Sequence, residues 1–306
     1  MRKKLNKKNK NFFCLKRKII FLFLLSFLLE ISNVGISKEL EDSIVYISKS
    51  DLGNFTTIQE GIDNAKSGDT LYIYNGTYFE NLVIDKSIIL IGENKNNTII
   101  DGRVAGNTIK INANNVTIKN FTIRHSGLIY PNSGINISSN SNIIENNLIT
   151  DNFYGITLYF SKNNKIRNNT IQNDDHCGIY ISNSKNNTIT ENIIQNNFYN
   201  GVGLYYSSDN NIIRGNSFIN NGFCGVNIRI CSNNKVINNN FSENNMGIYL
   251  PNSPNTASNN TFYNNKIDIE KEFALSEVNT IYFITFAIIV CLIVFIFYIT
   301  ILKRKK

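Results

Sequence analysis

Asp174, Asp175 and His176, in the stretch QNDDHCGIYI, form the densest ionisable cluster in the middle of the chain. Carboxylates held close together can coordinate Ca²⁺. An adjacent imidazole can act as a general acid or base. Asp151 lies one sequence repeat earlier and is placed to join them, so these four residues are the catalytic candidates. Against that reading, Asp174 aligns with Asn152, Asn197, Asn221 and Asn244, a column of turn residues in which an Asp is an ordinary replacement.

Metal chemistry has little to draw on. His125 and His176 are the two histidines of the chain, and Met1 and Met246 its two methionines. Copper handling needs clustered His, Met or Cys, so the composition does not support copper. No cofactor is evident, with Ca²⁺ at the acidic cluster as the one open option. Cys177, Cys224 and Cys231 are odd in number. Cys177 and Cys224 share a column two repeats apart, about 9–10 Å at ordinary strand spacing, which is too far for a disulfide. They read as buried thiols, with Cys231 taking a place held elsewhere by Ser184 and Ser208.

A second group of residues suits binding rather than catalysis. Thr157, Tyr159, Tyr180, Tyr205, Asn227, Arg229 and Tyr249 fall at alternate positions of short segments that begin with glycine. Rings carrying hydroxyls, next to amides, suit stacking on sugars and hydrogen bonding to them. Exposed Tyr is also simply a good strand residue. Glu145 and Arg167 occupy one outward column in adjacent repeats, with Glu191 and Arg214 nearby, a ladder of alternating charge that stabilises a surface.

These residues are positioned by a repeat. Glycines that open an apolar alternation recur at Gly134, Gly155, Gly178, Gly201, Gly225 and Gly247, at steps of 21 to 24 residues. Asparagines at Asn147, Asn169, Asn192, Asn216, Asn239 and Asn260 keep the same period. Each unit holds three apolar alternations too short to form a sheet alone. Three small strands per 21–24-residue coil, stacked on those of the next coil, make a parallel β-helix. Ile then fills the interior. Asn takes the corners, where it tolerates left-handed backbone and can bond along the stack.

The ends of the 306-residue chain read as topology signals. Its formal net charge of +8 is concentrated in the tails: residues 1–18 carry nine Lys/Arg and residues 303–306 four more. Without those thirteen, 18 basic side chains stand against 23 acidic ones over residues 19–302. That body has no basic stripe for phosphates, which argues against a nucleic-acid partner. The basic start followed by IIFLFLLSFLL (19–29) fits a secretory signal peptide over residues 1–37, with Gly35 and Ser37 as small residues near a cleavage site. An uncleaved anchor is the alternative. Residues 281–302 are uncharged and long enough to span a bilayer. The KRKK at 303–306 then stays cytoplasmic. The expected order is signal peptide, a β-helix domain over 38–270 outside the cell with regular repeats over 134–269, a linker at 271–280, and one C-terminal transmembrane helix as the membrane partner.

Residues 56–101, TTIQEGIDNAKSGDTLYIYNGTYFENLVIDKSIILIGENKNNTIID, followed by the NN-x-I and GIYL repeats, resemble the NosD-type group of pectin-lyase-like right-handed β-helix proteins. The resemblance covers roughly residues 44–269. It implies an all-β right-handed parallel β-helix of about nine coils. For activity it implies either a surface protein that binds carbohydrate or another cell-envelope partner, or a polysaccharide lyase, epimerase or glycoside hydrolase. By the NosD name alone it implies a part in copper-enzyme maturation. Within the same segment, Ile58, Ile62 and Ala65 share a helical face, and Thr57 with Glu60 forms a capping box. An amphipathic helix here suits a lid over the open end of the solenoid. Ten N-x-S/T sequons, Asn54, Asn75, Asn115 and Asn240 among them, are open to glycosylation.

Overall fold

Paired asparagines turn the corners of this molecule. At many corners the first Asn takes left-handed backbone, as at Asn168 (φ 55°), Asn186 (φ 57°) and Asn238 (φ 56°), while Ser141, Asp151, Glu191, Gly215 and Glu243 hold the same place at others. The second Asn points inward. Between consecutive corners run strands of three to six residues. A computed structural model of the protein describes residues 43–50, 52–251 and 254–271. The signal peptide, linker and transmembrane helix expected from the sequence lie outside the described residues.

The strands form three parallel sheets of ten, nine and nine strands. The first runs from Ile44–Ile47 to Thr256–Ser258, the second from Gly76–Tyr78 to Thr261–Tyr263, and the third from Leu82–Ile84 to Ile267–Glu270. This is a parallel β-helix of about ten turns rather than nine. The additional turn comes from Ile44–Ile47, which pairs with Thr70–Ile73 ahead of the first recognisable repeat.

In-register pairing stacks identical residues. Ile118, Ile144, Ile166, Ile189 and Ile213 form one fully buried file, and Ile123, Ile149, Ile171 and Ile194 another. The second file continues as Phe218, Phe241 and Phe262, whose rings stack 4.8 and 5.3 Å apart. The repeat glycines stand beside these side chains. A Cβ on Gly225 would lie 2.5 Å from the Phe241 ring and 2.8 Å from the Gly247 carbonyl oxygen. Close approach therefore demands glycine in this column.

The helix Ile58–Asn64 caps the amino-terminal end as expected. Thr57 is its N-cap, with its hydroxyl accepting from Glu60 N–H at 3.3 Å, and Ile58, Ile62 and Ala65 are buried. Its place in the chain differs from expectation, because the strand Ile44–Ile47 precedes it. The solenoid also caps the helix at both ends. The Glu80 carboxylate accepts from Ile58 and Gln59 N–H, both at 2.9 Å, and Lys86 Nζ donates to the carbonyls of Ile62, Asp63 and Ala65.

Candidate functional site

The third sheet carries the aromatic surface, and the corners on either side of it build its walls. Immediately before its strands stand Phe153, His176, Tyr199 and Phe223, one per coil. The His176 ring lies 5.8 Å from Phe153 and 4.9 Å from Tyr199, and Tyr199 stacks on Phe223 at 5.1 Å and 7°. On the sheet itself, Tyr180 lies 5.1 Å from Tyr154, 5.7 Å from Tyr159 and 5.1 Å from Tyr205, the last pair stacked. Arg229 sits 4.9 Å above the Tyr249 ring. A loop at 127–132 borders one side with exposed Leu128, Ile129 and Tyr130, and Tyr130 meets Tyr154 edge-on at 6.3 Å.

The corner after the third sheet forms the other border. Asn183 occupies its left-handed position in one coil, but Phe160 (φ 50°), Tyr206 (φ 50°) and Ile230 (φ 56°) occupy it in others. Bulky and β-branched residues pay a steric cost in this conformation. These three are also 55–78% exposed. Two penalties coincide on a ridge that edges the aromatic sheet.

The expected ligand-binding residues are all on this sheet, but not all are exposed. Tyr159, Tyr180 and Tyr205 are half-buried and Arg229 is exposed. Thr157 and Asn227 are fully buried and Tyr249 nearly so. They do point away from the interior. Large neighbouring rings cover the shorter side chains, and a Cβ on Gly203 would lie 2.6 Å from the Tyr205 ring folded across it. Burial raises the pKa values of Tyr159, Tyr180 and Tyr205, Tyr180 to about 12.

The acidic candidates do not converge. Asp174 is buried as a rung of an asparagine ladder. Its Oδ1 accepts from Asn152 N–H at 3.0 Å and Asn152 Nδ2 at 3.2 Å, and its own N–H donates to Asn197 Oδ1. Its Oδ2 has no hydrogen-bond partner. In neighbouring rungs an amide nitrogen fills that place and donates onward, as Asn197 does to Asn221. Burial holds the Asp174 carboxyl protonated well above the usual range, against the Asn152 bonds and helped by the charges of Asp151 and Asp175. Asp151 and Asp175 lie on the outer side of the wall, exposed. His176 is a rung of the aromatic column, with Nδ1 3.1 Å from Cys177 Sγ, and burial lowers its pKa.

Two groupings escaped sequence reasoning. Asp101 Oδ2 accepts from Arg124 Nε at 2.9 Å and lies 3.0 Å from His125 Nδ1, at the corner between the second and third sheets. Its members are 23 and 24 residues apart, and only the coil register brings them together. The aromatic corner column did leave a signal: Phe153, His176, Tyr199 and Phe223 each stand two residues ahead of a repeat glycine.

Residues 62–246 and 178–286 match the family described as periplasmic copper-binding protein (NosD). The chain belongs to the NosD family. Its fold is the right-handed β-helix of the pectin-lyase-like type. Among solved structures, the alginate lyase from Paenibacillus sp. str. FPU-7 is 15% identical with a TM-score of 0.53, over 74% of this chain and 99% of that one. Pectate lyase Pel9A is 13% identical with a TM-score of 0.56, over 72% and 78%. The catalytic domain of a GH87 α-1,3-glucanase in complex with nigerose is 17% identical with a TM-score of 0.56, over 76% of this chain but 44% of that one. Identities this low establish the shared fold alone. No curated protein matches the sequence.

Copper, which the NosD description names, can be tested against the donors present. Among the described residues no group of three or more His, Cys, Asp or Glu side chains is placed to hold a metal. The soft donors come in pairs: His176 with Cys177, and Cys224 Sγ 3.9 Å from Met246 Sδ. Burial pushes the thiols of Cys177 and Cys224 up to about 12. Among the described residues these donors, two at a time, do not make up the set of three or more ligands that a copper centre needs.

Proposed function

We propose that this NosD-family chain is a non-catalytic cell-surface protein, held to the membrane by its C-terminal segment, whose third sheet binds carbohydrate of the cell envelope. The observation that supports this is the run of half-buried Tyr159, Tyr180 and Tyr205 at one ring per coil, with consecutive centroids 5.7 and 5.1 Å apart. Pyranose rings stack on such surfaces through their C–H faces, and fixed phenols lose little side-chain freedom in doing so. The carbohydrate-active proteins with the same fold are compatible with this reading. A glycan array probed with the full-length protein tests it. Binding to a defined glycan that falls about tenfold or more in Y180A and Y205A, with no new reducing ends or unsaturated uronates released, supports it. Binding to no glycan overturns it.

The enzymatic alternative has a better centre at His125 than at Asp174. Asp101 can orient the His125 ring, which is 40% exposed, as a carboxylate orients a catalytic imidazole. Turnover on the same glycans, abolished in H125A, would favour that reading.

A further inference from the structure

Asn227 is fully buried, yet neither its Oδ1 nor its Nδ2 has a hydrogen-bond partner. Equivalent outward positions earlier in the third sheet are satisfied. Asn136 Nδ2 donates to Thr157 Oγ1 at 2.9 Å, and the Thr157 hydroxyl is 3.0 Å from Ser133 Oγ, which itself meets Asn107 Oδ1 at 3.0 Å. Asn227 continues the same column, between Gly203 and Tyr249 in register. Beside it, Gly203 offers no side chain and the Tyr205 ring folds over the glycine, closing the place where Asn227 sits. Arg229, two residues along the same strand, reaches onto the ring of Tyr249. An apolar residue would fill this place at no polar cost, whereas a buried amide left unpaired is costly.

Charge narrows what could pair with it. The outward positions of the four strands from Ile179–Ser182 to Met246–Tyr249 include Tyr180, Ser182, Gly203, Tyr205, Asn227, Arg229 and Tyr249, and the next strand sets Glu270 in register with Tyr249. Arg229 is the one cation among them and already lies on Tyr249. A polyanionic glycan carries one carboxylate per sugar and would need a matching series of cations. An uncharged hexopyranose needs a stacking ring and a group that both donates and accepts. A primary amide supplies both to adjacent hydroxyls.

Resting on the glycan reading above, we infer that Asn227 is the specificity-determining residue of this surface, and that the surface takes a neutral glycan in preference to a uronate. A sugar ring displaces Arg229 from Tyr249 and swings the Tyr205 ring off Gly203, stacks on Tyr249, and places two vicinal hydroxyls on the Asn227 amide. The spacing of one ring per coil suits an extended chain lying along the solenoid axis. No covalent step is involved.

Calorimetric titration of the full-length protein with cellohexaose, β-1,4-galactohexaose and hexagalacturonate tests this. At least one neutral hexasaccharide binds about tenfold or more tightly than hexagalacturonate. N227L, close in shape but without the amide, loses that binding by a similar factor while melting no lower than the natural protein. N227A serves as a second variant if N227L folds poorly. Unchanged affinity in N227L or N227A overturns the role of Asn227, and equal or tighter binding of hexagalacturonate overturns the ligand class, with the glycan reading intact in both cases. Binding of none of the three, together with a blank glycan array, overturns both readings.

Discussion

Asn192 and Asn227 are the same residue in the same solenoid, and both are buried. Asn192 sits in the corner ladder. Its Oδ1 accepts from Asn169 N–H and Nδ2, and its Nδ2 donates to the carbonyls of Ile166 and Thr190 and to Asn216 Oδ1, all at 2.9–3.0 Å. Asn227, on the outer side of the third sheet, makes none. The ladder shows a polar group used for stability, with every donor and acceptor paired, to backbone that the turn left open or to the next asparagine. The sheet shows a polar group kept where folding has no use for it. One region holds the fold, and the other, on the function proposed above, takes a ligand.

The ladder should be the more sensitive to substitution. N192A strands the Asn169 N–H and the Ile166 carbonyl in the interior, and should cost about 3–5 kcal/mol in denaturant unfolding. A loss below about 1 kcal/mol would mean that the ladder is not what holds the corners.

Asp174 lies in that ladder with one oxygen unpaired. D174N supplies the missing donor and should stabilise by about 1–2 kcal/mol at neutral pH. The sign of the pH dependence follows from the raised pKa. The folded state keeps a proton that the unfolded chain releases above about pH 4. That contribution is complete below this pH and is lost as pH rises through the folded-state pKa. The melting temperature of the natural protein should therefore fall relative to D174N as pH rises above about 4. Parallel melting curves for the two proteins would show that Asp174 is ionised in the fold.

The helix lid should yield smaller effects. E80A removes the carboxylate that binds Ile58 and Gln59 N–H, and should cost about 1 kcal/mol. The smallest effect belongs to the sheet: N227L should fall within about 0.5 kcal/mol of the natural protein or lie above it. Clear destabilisation by N227L would place Asn227 with Asn192 and erase the contrast between the two regions.

Much of the fold was legible because a parallel β-helix repeats its chemistry along the chain. The period of the glycines and asparagines set the coil length, and the Asn147–Asn169–Asn192 column is a hydrogen-bonded ladder as read. Thr57 and Glu60 announced the helix start. The strand at Ile44–Ile47 lies inside the expected β-helix domain, but no spacing marked it, because it precedes the first repeat marker and carries no corner asparagine. Glu80 and Lys86 gave no local sign of capping a helix some twenty residues earlier.

The site was legible only in part. Alternation placed Tyr180, Tyr205 and Asn227 on one side of one sheet, since side chains in a strand alternate strictly. It could not tell that Asn227 lies beneath its neighbours, because burial there depends on which way the large rings fold. It also set Asp174 beside His176, whereas one points into the wall and the other stacks outside it.

The sequence by itself determined the solenoid, its corners and its interior files, because each coil repeats the same local requirement for Gly, Asn or Ile at a fixed spacing. Tertiary structure alone decided which polar groups find partners. Asp101 meets His125, and Asn227 meets none, through contacts between coils some two dozen residues apart, and those contacts depend on side-chain packing that no spacing along the chain records.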